Sequence, residues 1–195
     1  MSSPLKVFIT GASSGIGLAL AAEYVRRGAI LGLVARRGEA LAAFQRSHPQ
    51  SSISCYCVDV RDAEALAEAA AQFIAQHGQP DIVIANAGVS RGAVTGEGDL
   101  RTFREVMDIN YFGMVATFEP FAAAMAAARR GTLVGIASVA GVRGLPGSGA
   151  YSASKSAAFK YLEALRVEMR PHGVGVVTIA PGYIRTPMTA HNPYT

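Results

Sequence analysis

The chain has 195 residues, half of them hydrophobic and 16% charged, which supplies one substantial core and excludes a disordered or low-complexity chain. One domain, residues 1–195, is the expectation. The net charge of +4 does not mark a nucleic-acid surface, because the arginines fall in scattered pairs (Arg26-Arg27, Arg36-Arg37, Arg129-Arg130) with acids between them.

Short apolar runs alternate with amphipathic, alanine-rich stretches along the whole chain. The pattern predicts strands over 6–10, 30–35, 53–58, 81–85, 132–137 and 174–180. It predicts helices over 16–27, 39–47, 63–77, 100–129 and 151–170. Continuous apolar strands need cover on both faces, so the sheet is expected to be parallel and doubly wound, with α/β architecture. Gly28, Gly78, Gly131 and Gly173 each follow a helical stretch and read as left-handed caps. Cys55 and Cys57 stand two residues apart in one strand-like run, an arrangement that does not bridge comfortably; they read as core-strand thiols of a reducing compartment. No apolar run reaches the ~18 residues of a membrane helix, and residues 1–10 lack the features of a secretory signal. A cytoplasmic location without membrane or nucleic-acid partners is therefore the expectation.

The turn Thr10-Gly11-Ala12-Ser13-Ser14-Gly15-Ile16-Gly17 leaves the first strand and opens the first helix, the context of a dinucleotide site. Its small residues let backbone approach a pyrophosphate at a helix N-terminus. The same glycines also serve a tight turn sterically, so context decides. At the end of the second strand, an NAD site places an acid for the ribose 2′-hydroxyl, whereas NADP needs a cation. Here stand Arg36 and Arg37, with no acid until Glu39, and either arginine suits a bidentate grip on the 2′-phosphate. NADP(H) is the cofactor expected, ahead of NAD(H). No metal site is assigned.

Tyr151 and Lys155 are four residues apart and share one helix face. A free phenol titrates near pH 10, but an ammonium about 4 Å away contributes roughly 4 kcal/mol at an effective dielectric near 20, enough to bring a phenol into acid/base range. Ser138 ends the fifth strand, Asn86-Ala87-Gly88 ends the fourth, and both fall at the carboxyl edge of the sheet. Asn110 interrupts a helical stretch where asparagine is a poor interior residue, which either a local kink with a bound water or a tolerated surface position explains.

Together these residues resemble the short-chain dehydrogenase/reductase family, in its compact form, from Val7 to Met188. The TGxxxGIG spacing, Asp59-Val60, Asn86-Ala87-Gly88, the Ser/Tyr/Lys set and Pro181-Gly182 occur in family order. The resemblance implies a Rossmann-type sheet in the order 3-2-1-4-5-6. It implies that Gly11, Ser13, Ser14, Gly15, Ile16 and Gly17 cradle the pyrophosphate, and that Asp59 and Val60 border adenine. Asn86, Ala87 and Gly88 would border the ribose, and Pro181, Gly182, Ile184 and Thr186 the nicotinamide end. Tyr151 would exchange the proton as hydride moves between nicotinamide and a carbonyl carbon, and Ser138 would orient the carbonyl. Lys155 would assist the phenol and hold ribose hydroxyls, and Asn110 would position a relay water.

The reaction implied is reduction of a carbonyl compound or oxidation of a secondary alcohol with NADP(H). A non-enzymatic dinucleotide-binding or scaffold protein on this fold, and a 3-oxoacyl-carrier-protein reductase, are the alternatives. The last would meet its acidic carrier through Arg129, Arg130 and Arg170, although cations near helix C-termini also complement the helix dipole. Arg143, Leu145, Tyr183, Met188 and the loop 139–150 are expected to line an apolar substrate pocket. The helix over 100–129, with Tyr111, Phe112, Met114, Val115 and Phe118, is more apolar than one buried side needs unless it simply packs on the sheet. Family members commonly pair this helix and the Tyr/Lys helix across a two-fold axis, so the resemblance implies a homodimer or homotetramer. Relative to the family pattern, the seventh strand and the lid segment are expected to be missing.

Overall fold

The computed structural model describes residues 3–97 and 99–190. Strand and helix alternate as β1 (Lys6–Thr10), α1 (Gly15–Arg26), β2 (Ile30–Val34), α2 (Gly38–Arg46), β3 (Ile53–Tyr56), α3 (Ala63–His77), β4 (Ile82–Ala85), α4 (Leu100–Met107), α5 (Gly113–Ala128), β5 (Thr132–Ile136), α6 (Gly149–Met169) and β6 (Gly175–Ile179). All pairings are parallel, in the order β3-β2-β1-β4-β5-β6. This is the expected doubly wound, Rossmann-type sheet.

Side chains alternate across each strand, so consecutive apolar residues feed two cores. Val7, Ile9, Leu31 and Leu33 pack beneath α1 and α2, around Ala21 and Leu41. Phe8, Val83 and Leu133 face α3, α5 and α6 on the other side. There the Phe8 ring meets Phe73 and Phe121 at centroid distances of 5.6 and 5.0 Å. Gly32 of β2 makes this cluster possible: a Cβ there would lie 2.6 Å from Phe8 and 2.7 Å from Phe73. The strand order reverses between β1 and β4, which opens a crevice at the carboxyl ends of the strands.

Four local expectations are corrected. The stretch 100–129 is not one regular helix, because a π-helical turn at Asp108–Phe112 separates α4 from α5 and carries Asn110. Arg129, with φ 53°, is the left-handed residue that ends α5, not Gly131. The Arg130 N–H reaches back to the Met125 carbonyl there, a Schellman-type closure that frees the chain in time for β5. Cys57 lies beyond the end of β3 and is exposed, so only Cys55 is a strand thiol; both are free. Finally, β6 is not covered on both faces: Val176 is buried against the α6 side, while Val177 and Ile179 are about two-fifths exposed. Among the described residues no helix is long and apolar enough to cross a membrane.

Candidate active site

The glycine-rich turn sits at the head of the crevice. Gly11 has φ +70° and Gly15 φ +56°, the left-handed region where a side chain is strained. Gly17 is required by proximity instead: it is buried, and a Cβ would meet the Gly11 carbonyl oxygen at 2.3 Å and Asn86 Nδ2 at 2.5 Å. Asn86 Nδ2 donates to the carbonyls of Thr10 and Gly11 at 3.0 and 3.1 Å, so the end of β4 braces the turn. The first turn of α1 contains no acid, and its free N–H groups and dipole suit a bound anion.

Arg36 and Arg37 both line the cleft at the end of β2. They differ in what they hold. Arg37 donates to Ser13 through Nε and Nη2, at 3.3 and 3.1 Å to Oγ, and at 3.2 Å to the Ser13 carbonyl. Arg36 Nη1 lies 3.8 Å from Asp59 Oδ2, so an acid does face the cation, contrary to the absence read from the second strand alone. That acid is already engaged. Arg61 donates to both Asp59 oxygens, with Nη2 at 2.6 Å from Oδ2. These hydrogen bonds hold the Asp59 carboxyl below the usual carboxylate range.

Ser138, Tyr151 and Lys155 converge on the same cleft. Ser138 lies two residues beyond the end of β5 and caps a short 3₁₀ turn, its Oγ accepting the Ala140 N–H at 3.2 Å. Lys155 is 4% exposed, and its Nζ donates to the Ile136 carbonyl at 2.8 Å. Nζ lies 5.9 Å from the Tyr151 ring centroid. Burial lowers the Lys155 ammonium to about 8. It has no ion-pair partner among the described residues, and an ammonium with one hydrogen bond keeps two donors for a ligand.

That depression has a measurable consequence. Below pH 8 both folded and unfolded chains carry the proton; between about 8 and the ordinary 10.5 only the unfolded chain does, so stability rises with pH there. Relative to Lys155→Met, the wild-type ligand-free protein is expected to gain about 3 kcal/mol from pH 7.5 to 10.5, read by urea unfolding. A gap between the two proteins that does not change with pH would contradict the burial of a cation here.

Asn110 does not line the cleft. It is fully buried in the π-helical turn, where its side chain bonds Val89 and Ser154. Of the predicted cofactor residues, Gly17 alone lies behind the lining, and all the others border the cleft. The substrate-wall prediction is corrected: Met188 lines the cleft, but Arg143, Leu145 and Tyr183 do not. None of residues 139–150 lines it; the loop bearing the first two is joined instead to the segment after β4, by a bridge between Ser148 and Ala93, with the Ala93 N–H donating to the Gly147 carbonyl. Val89, Ile109, Ala137, Pro187 and Thr189 also line the cleft and were not foreseen. For Thr189 a signal existed, because a threonine three residues after Thr186 suits a side-chain turn. Its Oγ1 accepts the Thr186 N–H at 3.0 Å and donates to the Ile184 carbonyl at 2.6 Å, folding the segment over the start of α1.

The short chain dehydrogenase family profile matches residues 6–194. The chain is 39% identical to an uncharacterized oxidoreductase of Myxococcus xanthus, over 94% of this chain and 74% of that protein. A short chain dehydrogenase/reductase from Burkholderia phymatum, solved in complex with NAD, superposes with a TM-score of 0.91 at 27% identity, covering 96% of this chain and 68% of that one. The ElxO structure with NADP bound superposes at 0.88 with 26% identity, covering 95% and 76%. Across eight curated relatives, the chain spans between 58% and 77% of their lengths.

Proposed function

The chain belongs to the short chain dehydrogenase family of oxidoreductases, and from that premise we propose that it interconverts a carbonyl compound and its secondary alcohol with NADP(H). The observation that carries this reading is Lys155, a buried ammonium without a counter-ion, set beside the Tyr151 ring and within the cleft bordered by Ser138. A buried cation is costly unless something polar meets it; a purely binding protein could use it on ribose hydroxyls, but has no need of a phenol paired with it for acid/base work. The group supplied by the cofactor when bound is the hydride. The protein's own residues do the rest. The Ser138 hydroxyl, which uses a lone pair on Ala140, keeps its proton to donate to a substrate oxygen. Tyr151 gives or takes the proton on that oxygen, and Lys155 stabilises the phenolate and binds ribose hydroxyls.

The residues fit a dinucleotide with a 2′-phosphate. Gly11, Ser13, Ser14, Gly15 and Ile16 border the open cleft where a pyrophosphate would lie at the acid-free start of α1. Solved relatives hold NAD as well as NADP, so the choice rests on the end of β2. Asp59 is consumed by Arg61 and offers no free carboxylate to a ribose 2′-hydroxyl, whereas the exposed Arg36 offers a guanidinium to a phosphate. A second copy against the face carrying Phe112, which is 57% exposed, and a cytoplasmic setting belong to the same proposal.

The test is a panel of ketones and aldehydes assayed with NADPH and NADH in parallel, for wild type and Arg36→Ala. The expected result is NADPH-dependent turnover, favoured at least about tenfold over NADH in kcat/KM, with the preference collapsing towards parity in the variant because a charged hydrogen-bonding contact contributes roughly 1.5–3 kcal/mol. A wild-type preference for NADH would overturn the cofactor assignment. Tight NADPH binding without consumption across the panel would favour the scaffold alternative.

A further inference from the structure

Asn110 and Ser154 form a buried linkage that the proton and hydride steps above do not use. Both are fully buried. Asn110 Nδ2 donates to the Val89 carbonyl and to Ser154 Oγ, each at 2.9 Å, while its Oδ1 accepts the Val89 N–H at 2.8 Å. Ser154 Oγ donates in turn to the Tyr151 carbonyl at 2.7 Å. Both amide hydrogens and the amide oxygen are thus engaged, and a flipped carboxamide would set donor against donor and acceptor against acceptor.

The linkage reaches the reacting groups from the far side. A Cβ at Gly88 would lie 3.3 Å from Asn110 Oδ1 and 3.5 Å from Lys155 Nζ, so the two atoms border one small gap. Serine is an inferior residue for a helix interior, and a buried hydroxyl is costly unless it both donates and accepts; this one does both.

We propose that Ser154 is a positioning residue: its hydroxyl locks the Asn110 carboxamide in the orientation that clamps both backbone groups of Val89, and so ties the Tyr151 and Lys155 turn of α6 to the loop that follows β4. Its effect on turnover rests on the oxidoreductase reading given above; the linkage itself does not.

Hydrogen exchange of the Val89 amide reads the linkage directly, because that N–H lies outside any strand or helix and is protected by Asn110 Oδ1 alone among the described residues. Ser154→Ala is expected to accelerate it at least about tenfold, Asn110→Ala at least as much, and the double variant no further than Asn110→Ala. In steady-state kinetics Ser154→Ala is expected to lower kcat about tenfold with both KM values within about twofold, and again to add nothing to Asn110→Ala. Should the variants not fold, the wild-type side-chain amide of Asn110 is read by NMR instead, and both of its hydrogens are expected to exchange slowly. Unchanged Val89 exchange in Ser154→Ala, additive effects of the two substitutions, or a rapidly exchanging Asn110 amide in wild type would each overturn the proposal. Accelerated Val89 exchange in a protein that turns over no carbonyl would support the linkage and count against the proposed function instead.

Discussion

Tyr151→Phe is expected to lower kcat for carbonyl reduction by about a thousandfold while leaving NADPH affinity within about twofold, the range that a positioned general acid contributes. The substitution removes one oxygen. Lys155 keeps its hydrogen bond to Ile136, the glycine-rich turn keeps its brace from Asn86, and neither contact involves the phenol. Binding and chemistry should therefore separate, with the loss confined to kcat. NADPH titration by fluorescence and steady-state rates on the same preparation check this. An undiminished kcat would remove Tyr151 from the mechanism; a parallel loss of NADPH affinity would make it a binding residue.

Gly17→Ala is expected to have the second largest effect, on cofactor affinity and stability together. The obstacle to its Cβ is the Gly11 backbone, with the carbonyl oxygen at 2.3 Å and the carbonyl carbon at 2.9 Å, so no side-chain rotation relieves it. The turn or the start of α1 must shift, and Asn86 loses the carbonyl it braces. We expect a loss of about 2–3 kcal/mol in stability, at the upper end of overpacking penalties, and NADPH binding weakened at least about a hundredfold. Gly144→Ala is the control, because a Cβ there meets nothing within 4 Å, and it should stay within about 0.5 kcal/mol of wild type. Equal behaviour of the two variants in thermal unfolding and NADPH titration would show that Gly17 is not held by close approach.

The sheet was legible because short apolar runs bounded by turn residues and alternating with helical stretches read as strands of a covered sheet, β6 being the exception with one face partly open. The glycine-rich turn and the Tyr151/Lys155 pair were legible because their chemistry is local. What escaped was set by contacts between distant segments. Beyond Val34↔Tyr56 the β2 and β3 ladder stops, so Cys57 and Val58 leave the sheet although their sequence continues the strand. The approach of Asp59 to Arg36 follows from that register and is invisible in either segment alone. Asn110 was recognised as out of place in a helix, but the π-helical turn and the bond to Ser154 depend on α6 packing against α4 and the turn after it. Arg129 took the left-handed position expected of Gly131 because β5 has to begin at Thr132, opposite Ile82.

In the proposed reaction this cleft moves a hydride to a carbonyl carbon while Tyr151 supplies the proton. Reduction of a turned-over ketone with NADPH deuterated at the transferring carbon, followed by mass spectrometry and NMR of the product, tests it most directly. One deuterium is expected on the carbinol carbon in wild type, and no labelled product from Tyr151→Phe on the same timescale. An alcohol formed without the label, or labelled equally fast by the phenylalanine variant, would contradict it.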